Sequence, residues 1–280
     1  MACVPRVFVG FTGGRGVPPA TTTAFDVLVD DDEHLAAVVA NAARWPLASS
    51  ALVLLLRGGA GRSVPDGLIA ESSTYSTLQA GPEHGRWLAG HERRVRAAEC
   101  EPAVRVERRG GRLALTLARP HVRNAFDARM RTELLDALAV AASDPEITEV
   151  VLEGAGPTFC SGGDLAEFGT LVDPASAHVL RIAQSAGLAI DQLAAKVTVH
   201  VHGRCVGAGV ELPAFAGRVV AAPETSFLLP ELAMGLVPGA GGTVSLPRRI
   251  GRQRTALLAL LARPVDAETA QAWGLIDAIA

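Results

Sequence analysis

Aromatic side chains are scarce: Phe, Trp and Tyr make up 4% of the 280 residues, and Tyr75 is the single tyrosine. Lys196 is the only lysine among 26 basic residues, and asparagine is nearly absent. This skew reads as the codon usage of a GC-rich genome rather than as chemistry. Long apolar runs are missing too. The longest, Ala51–Leu56 and Ala256–Ala262, are far too short to span a bilayer. Neither sign of charge dominates, since 26 basic against 29 acidic residues leave −3, so no field for nucleic acid or a membrane surface is implied. The four cysteines, Cys3, Cys100, Cys160 and Cys205, are scattered and form no C-x-x-C pair. That argues against a zinc site or a disulfide framework, and for packed thiols in a reduced, cytoplasmic compartment. No basic stretch followed by an apolar one opens the chain, so a secretory leader is not expected.

Small and apolar residues are abundant. There are 29 glycines, hydrophobic types reach 49%, and the mean hydropathy is +0.27, which excludes disorder. The length suits one large domain or two small ones. Two blocks are expected: an N-terminal extension over 1–102 and a more regular block over 103–280. In the first, Val7–Phe11 and Phe25–Val29 read as short strands on either side of the Gly/Pro/Thr-rich Gly13–Thr23. His34–Ala43 reads as a helix, Ala51–Leu56 as a buried strand and Gly58–Gly61 as a turn. A polar stretch, Glu71–Gly81, precedes an Arg-rich helix from Glu83 to Glu99.

In the second block, Val104–Glu107 and Leu113–Leu117 flank Arg-Gly-Gly as a hairpin. Asp127 can cap a helix to about Ala142 that buries Met130, Leu134, Leu138 and Ala141. Val150–Glu153 is a strand entering the Gly-rich turn Gly154–Leu165. Asp173-Pro174 opens a helix to about Lys196; Val197–His202 is a strand, and Gly207–Gly209 opens another helix. Alternating strands and helices predict an α/β architecture. His34–Glu71 also echoes Arg131–Glu167, which suggests a degenerate half-repeat.

Two carboxylates stand in apolar surroundings: Glu211 in Gly207-Ala-Gly-Val-Glu-Leu-Pro, and Glu231 in Phe227-Leu-Leu-Pro-Glu-Leu-Ala-Met-Gly. Either could face solvent at a turn. Both lie beside Gly-rich backbone, however, and paired carboxylates can share a water and divide acid and base roles. The glycines of Phe159-Cys-Ser-Gly-Gly-Asp-Leu and Gly207-Ala-Gly let main chain approach a ligand closely. One N–H from each would make an oxyanion hole. Competing chemistries lack parts. Cys160 has no placed histidine partner, Ser161 is not in G-x-S-x-G, Gly239–Thr243 lacks the lysine of a P-loop, and His200 with His202 lack a third metal ligand. The pairs Arg93-Arg94, Arg108-Arg109 and Arg248-Arg249 read as solvated faces or ion pairs.

From about Val104 to Ile279 the chain resembles the crotonase superfamily (enoyl-CoA hydratase/isomerase). The resemblance rests on Leu117-Ala-Arg-Pro-His-Val-Arg-Asn-Ala-Phe and Gly154-Ala-Gly-Pro-Thr-Phe-Cys-Ser-Gly-Gly-Asp-Leu. His202-Gly-Arg-Cys-Val-Gly-Ala-Gly-Val-Glu-Leu, Phe227-Leu-Leu-Pro-Glu, Gly235-Leu-Val-Pro-Gly-Ala-Gly-Gly-Thr and Ala272-Trp-Gly-Leu-Ile-Asp follow in order. It implies an α/β crotonase-like fold, a ββα-repeat spiral, acting on acyl-CoA thioesters. It places the thioester oxygen between the N–H groups of Gly163 and Ala208, and makes Glu231 the proton donor at C2 and Glu211 the base that positions water. Cys160, Ser161, Gly162, Asp164 and Leu165 would line the pantetheine arm and acyl entrance. Arg123 and Ala125 would pass near the nucleotide, and Pro230 and Gly239 would shape the acyl pocket. No metal and no separate cofactor are implied, coenzyme A arriving as part of the substrate, and a trimer or hexamer is expected.

Members of this family continue past Gly-Leu-Ile-Asp into helices that cover the coenzyme A, whereas here about one hundred residues stand in front. The extension is expected to substitute for that cover, with Ser72–Gln79 near the acyl mouth. Retention of both glutamates favours hydration of a 2-enoyl-CoA. The alternatives are isomerisation or another reaction on an aromatic or secondary-pathway acyl-CoA, and a catalytically silent CoA-binding scaffold.

Overall fold

A computed structural model describes residues 4–14, 22–92, 99–171 and 173–280. Cys3, most of the Gly/Pro/Thr-rich stretch, Arg93-Arg94 and most of the tail of the expected Glu83–Glu99 helix lie outside these.

Two strands, β1 (Val9–Phe11) and β2 (Val27–Val29), pair in parallel near the N-terminus. Four helices follow: α1 (Asp32–Arg44), α2 (Pro46–Arg57), α3 (Val64–Gln79) and α4 (Pro82–Ala89). The expected strand at Ala51–Leu56 is therefore part of a helix. A six-residue apolar run fits either state by periodicity, and here leucine's helix preference and Pro46 at the first turn decide it. Its buried residues, Ala48, Ser49, Leu52, Val53, Leu55 and Leu56, follow helical spacing. The half-repeat echo consequently does not carry into the structure, because residues 34–71 fold as helices where residues 131–167 contain a strand.

The second block is built on a six-stranded sheet. Hairpin strands β3 (Val104–Arg109) and β4 (Arg112–Leu117) turn at Gly110, whose φ of 59° suits glycine. Strand β5 (Glu149–Gly154) pairs with β4 in parallel and with β6 (Val197–Val201) on its other side. Beyond these lie β8 (Arg218–Ala221) and β11 (Ala278–Ile279), both parallel. On β4, Leu113, Leu115 and Leu117 alternate inward. Helix α5 (Ala128–Ser143) is capped by Asp127, which accepts from the Met130 N–H at 2.8 Å, and it buries the expected stripe with Ala137 added.

The expected helix from Asp173 to Lys196 breaks in two. Helix α6 (Pro174–Ala183) keeps its Asp173 cap, and Ser185 then caps α7 (Ala186–Gln192). The break seats Gly187 against the Phe215 ring, where a Cβ would stand 2.5 Å from a ring carbon. A smaller sheet joins β7 (Arg204–Val206), β9 (Ser226–Leu228) and β10 (Val265–Asp266). Between β7 and β9 sits the one-turn helix α8 (Ala208–Glu211). Helix α9 (Gly242–Leu261), bent at Gly251, packs against α1, α2 and α3, and α10 (Ala267–Trp273) precedes β11. One hydrophobic core includes Val27, Leu52 and Leu68 together with Leu115, Val199 and Leu246.

Arg119 ties the loop after β4 to the site. Its guanidinium, 3% exposed, meets Glu99 at 2.8 Å, Asp127 at 2.8 Å and Asp164 at 3.5 Å. Asn124, also buried, accepts from the Arg119 N–H and donates to the carbonyls of Ala155, Thr158 and Phe159. Hydrogen bonding to Arg119 holds Glu99 down to about 2. That stabilisation is complete above the ordinary glutamate value of 4.5 and is lost as pH falls toward 2. Arg119→Ala removes the cation facing buried Asp164 and partly buried Glu99 and Asp127 and should cost about 3 kcal/mol in urea unfolding. The variant should also show a shallower loss of stability than wild type over that acid range.

Candidate active site

Backbone geometry sets the site before any side chain enters it. The loop after β5 is held by a bridge between Phe126 and Gly163, in which the Phe126 N–H donates to the Gly162 carbonyl and the Asp164 N–H to the Phe126 carbonyl. This pattern uses the groups on either side of Gly163 and leaves its own N–H turned the other way. Among the described residues that N–H has no acceptor. A second bridge joins Cys160 to Cys205, with the Val206 N–H donating to the Cys160 carbonyl at 3.0 Å. The loop is thereby laid beside the start of α8. There the Ala208 N–H, at the first helical position, likewise has no acceptor among the described residues. Gly209 permits the approach, since a Cβ there would overlap the Cys160 carbonyl oxygen.

Three carboxylates line the same cavity as Gly163 and Ala208. Glu211 closes α8 and is 2% exposed, its Oε2 accepting from the Ala240 and Gly242 N–H groups at 2.8 Å each. Burial pushes its pKa up to about 7, against the pull of those two amides. Glu231 begins a one-turn 3-10 helix, Glu231–Met234, after Pro230. The residue is half-buried, yet its Oε2 is shut from solvent and has no hydrogen-bond partner among the described residues. Burial first, then the charge of Glu211, raise it well above the usual carboxylate range.

The third, Glu71, comes from α3 in the N-terminal block and is 2% exposed. It accepts from the Gly241 N–H at 2.7 Å, the Thr243 N–H at 2.8 Å and the Thr243 hydroxyl at 2.7 Å. Burial and then Glu211 push it up to about 8. Sequence reasoning did not single out Glu71. The signal was present in Gly67-Leu-Ile-Ala-Glu, a carboxylate ending an apolar run, the same setting that marked Glu211 and Glu231.

These groups line one cavity of about 420 Å³, together with Gly163, Asp164, Ala208 and Gly239. Tyr75 from α3 packs its ring on Gly239, where a Cβ would stand 2.5 Å away, and the Arg181 guanidinium lies 4.5 Å from the ring centroid. Arg181 in turn donates to Ser72, Ser76 and Gln79. The stretch Ser72–Gln79, expected as part of a polar connection, is helical and forms part of the cavity wall through Ser72, Tyr75 and Gln79. Phe168 stands over Gly163 and meets Trp87 of α4 edge-on.

Of the residues expected to contact substrate, Arg123, Ala125, Cys160, Ser161, Gly162, Leu165 and Pro230 do not line this cavity. Arg123 is exposed in a left-handed turn, and Leu165 is exposed. Ala125 is buried with its carbonyl on Arg119. Cys160 is buried with its thiol pushed up to about 12, as a packed thiol requires. Asp164 lines the cavity but also caps the short turn Leu165–Glu167 and faces Arg119. His202 bonds the Gly156 carbonyl, and no cluster of three metal-ligating side chains occurs among the described residues. Arg108 pairs with Asp144, and Arg249 with Asp277.

Residues 107–280 match the family model described as enoyl-CoA hydratase/isomerase. The chain is 36% identical over 172 residues to 1,2-epoxyphenylacetyl-CoA isomerase of Escherichia coli, covering 59% of this chain and 65% of that protein. It is 35% identical over 175 residues to a mevalonyl-coenzyme A hydratase of Beauveria bassiana, covering 60% and 62%. It thus spans less than two thirds of the length of these relatives. The crystal structure of an enoyl-CoA hydratase from Thermoplasma volcanium superposes with a TM-score of 0.59 at 31% identity, over 64% of this chain and 72% of that one. The α/β architecture is the crotonase fold. With its two unpaired amides, its paired Glu211 and Glu231 and this match, the chain belongs to the enoyl-CoA hydratase/isomerase family.

Proposed function

We propose that this protein hydrates 2-enoyl-CoA thioesters to 3-hydroxyacyl-CoA. The observation that carries the proposal is that Glu211 and Glu231 enter one cavity alongside the unpaired N–H groups of Gly163 and Ala208. The thioester oxygen accepts from those two amides. A water oxygen forms a bond to C3 while its proton passes to Glu211, and the C2=C3 electron pair shifts to give an enolate oxygen. Preorganised amides stabilise that developing charge without reorganising. Collapse of the enolate restores the carbonyl as C2 takes the proton of Glu231. Solvent exchange then returns Glu211 and Glu231 to their starting states.

The opposite environments of the two carboxylates support this division. Glu211 is fixed through one oxygen by two amides, which leaves the other to hold water and favours the ionised form. Glu231, with no partner on Oε2, is pushed well above the usual carboxylate range by burial and then by the charge of Glu211, as suits a proton donor. Isomerisation needs only one of the pair to move a proton, and is the second reading.

The N-terminal extension serves in this proposal as the cover of the acyl end, supported by Ser72, Tyr75 and Gln79 of α3 in the cavity wall. Assembly into a trimer or hexamer and a cytoplasmic location accompany the proposal.

Crotonyl-CoA turnover, followed as loss of the conjugated-enoyl absorbance, tests the function. Glu211→Gln and Glu231→Gln should each lower kcat by about 100-fold or more; unchanged rates would refute the assignment. If isomerisation is the true activity, Glu211→Gln should retain double-bond migration of a 3-enoyl-CoA. The base must be ionised, so kcat/KM should fall as pH drops below about 7, where Glu211 takes up its proton. A rate flat from neutral pH down through the ordinary carboxylate range would contradict that role.

A further inference from the structure

The first turn of α9 and the residues before it present four consecutive amides to two different carboxylates. Ala240 and Gly242 donate to Glu211, while Gly241 and Thr243 donate to Glu71. The alternation follows from the backbone: Gly241 holds a left-handed φ of 105°, which turns successive N–H groups to opposite sides. A Cβ at Gly242 would meet Glu211 Cγ at 2.7 Å, so the turn and Glu211 are in direct contact. The same turn is covered from the N-terminal block at two further points. Tyr75 packs on Gly239, and Gly67 of α3 lies against Val244, where a Cβ would stand 3.0 Å away. Glu71 is the one contact of the three that is both polar and buried, and a buried carboxylate with three donors is costly to displace.

We propose that Glu71 is a positioning residue of the active site: by gripping the Gly241 and Thr243 amides from outside the family-matched residues, it fixes the turn that holds Glu211 in place to direct water. This rests on the hydratase reading above. The matched block would then form an incomplete site without α3. Glu71 has no role in the proton transfers, which Glu211 and Glu231 complete between them. Its own surroundings are Glu211, Glu231, Arg181 and Tyr75, with which it interacts electrostatically.

The test uses full-length Glu71→Gln, which keeps size but sets an amide NH₂ against donors, and Thr243→Val, which removes only the hydroxyl donor. In crotonyl-CoA hydration, Glu71→Gln should lower kcat by about 10- to 100-fold, the scale of a misplaced reacting group, with KM changed less than about threefold. Thr243→Val should lower kcat in the same direction by less, and adding it to Glu71→Gln should cost little more, because both act on one contact. Amide hydrogen exchange is the second arm and needs no substrate. Peptides spanning residues 239–245 should exchange about 10-fold faster or more in Glu71→Gln, while the 104–117 hairpin is unchanged. Wild-type kcat, a rise in KM alone, or unchanged exchange in the turn would each overturn the proposal. If wild type fails to hydrate crotonyl-CoA, the hydratase reading falls, and the exchange arm alone decides whether Glu71 grips the turn.

Discussion

The site depends on keeping carboxylate oxygens of Glu71, Glu211 and Glu231 out of water at one cavity. Desolvation raises the pKa of each, and their mutual repulsion raises Glu71 and Glu231 further. What makes the arrangement tenable is main chain. Amides 240–243 satisfy two of the carboxylates in alternation and leave the third, Glu231, without a partner on Oε2. Chemically similar groups thus stand in different hydrogen-bonding environments. A buried polar network is tolerated where its members are satisfied, and an unsatisfied member calls for an explanation, which a catalytic role gives Glu231.

Glycine supplies the geometry that side chains could not. Gly207 adopts φ of 50° and leaves space filled by Glu231 Oε1, 2.5 Å from where its Cβ would be. The two β-bridges, Phe126 with Gly163 and Cys160 with Cys205, draw the loop after β5 against α8. They also consume the neighbouring hydrogen-bonding groups, so that the Gly163 and Ala208 amides remain available for an oxyanion. The Arg119 and Asn124 networks hold this loop pair from behind, with fixed donors and carbonyls rather than apolar packing.

Local chemistry made much of this legible in sequence. Asp127, Asp173-Pro174 and Gly110 wrote their own caps and turn, and Glu211 and Glu231 stood out by their apolar settings; within the two glycine segments, the family resemblance singled out Gly163 and Ala208. The misses have physical causes. Ala51–Leu56 is apolar on every side, so its period could not separate strand from helix. The predicted continuous helix breaks at Gln184-Ser185, where Ser185 caps a new helix that lays Gly187 against Phe215, a contact distant in sequence. The apolar run before Glu71 marked a candidate carboxylate, but its partners, Gly241 and Thr243, lie about 170 residues away, and nothing local reports a contact of that separation. Cys160, Ser161 and Gly162 serve the site through their backbone, which a motif cannot distinguish from side-chain contact.

The central claim is that a fixed carboxyl, rather than bulk water, delivers the proton to C2. It is tested most directly by hydrating crotonyl-CoA in D₂O and locating deuterium in the 3-hydroxybutyryl-CoA product by mass and NMR. The account predicts one deuterium at C2, on a single face, because one anchored donor can reach only that face. Deuterium spread over both faces of C2, or its absence from C2 in hydrated product, would contradict it.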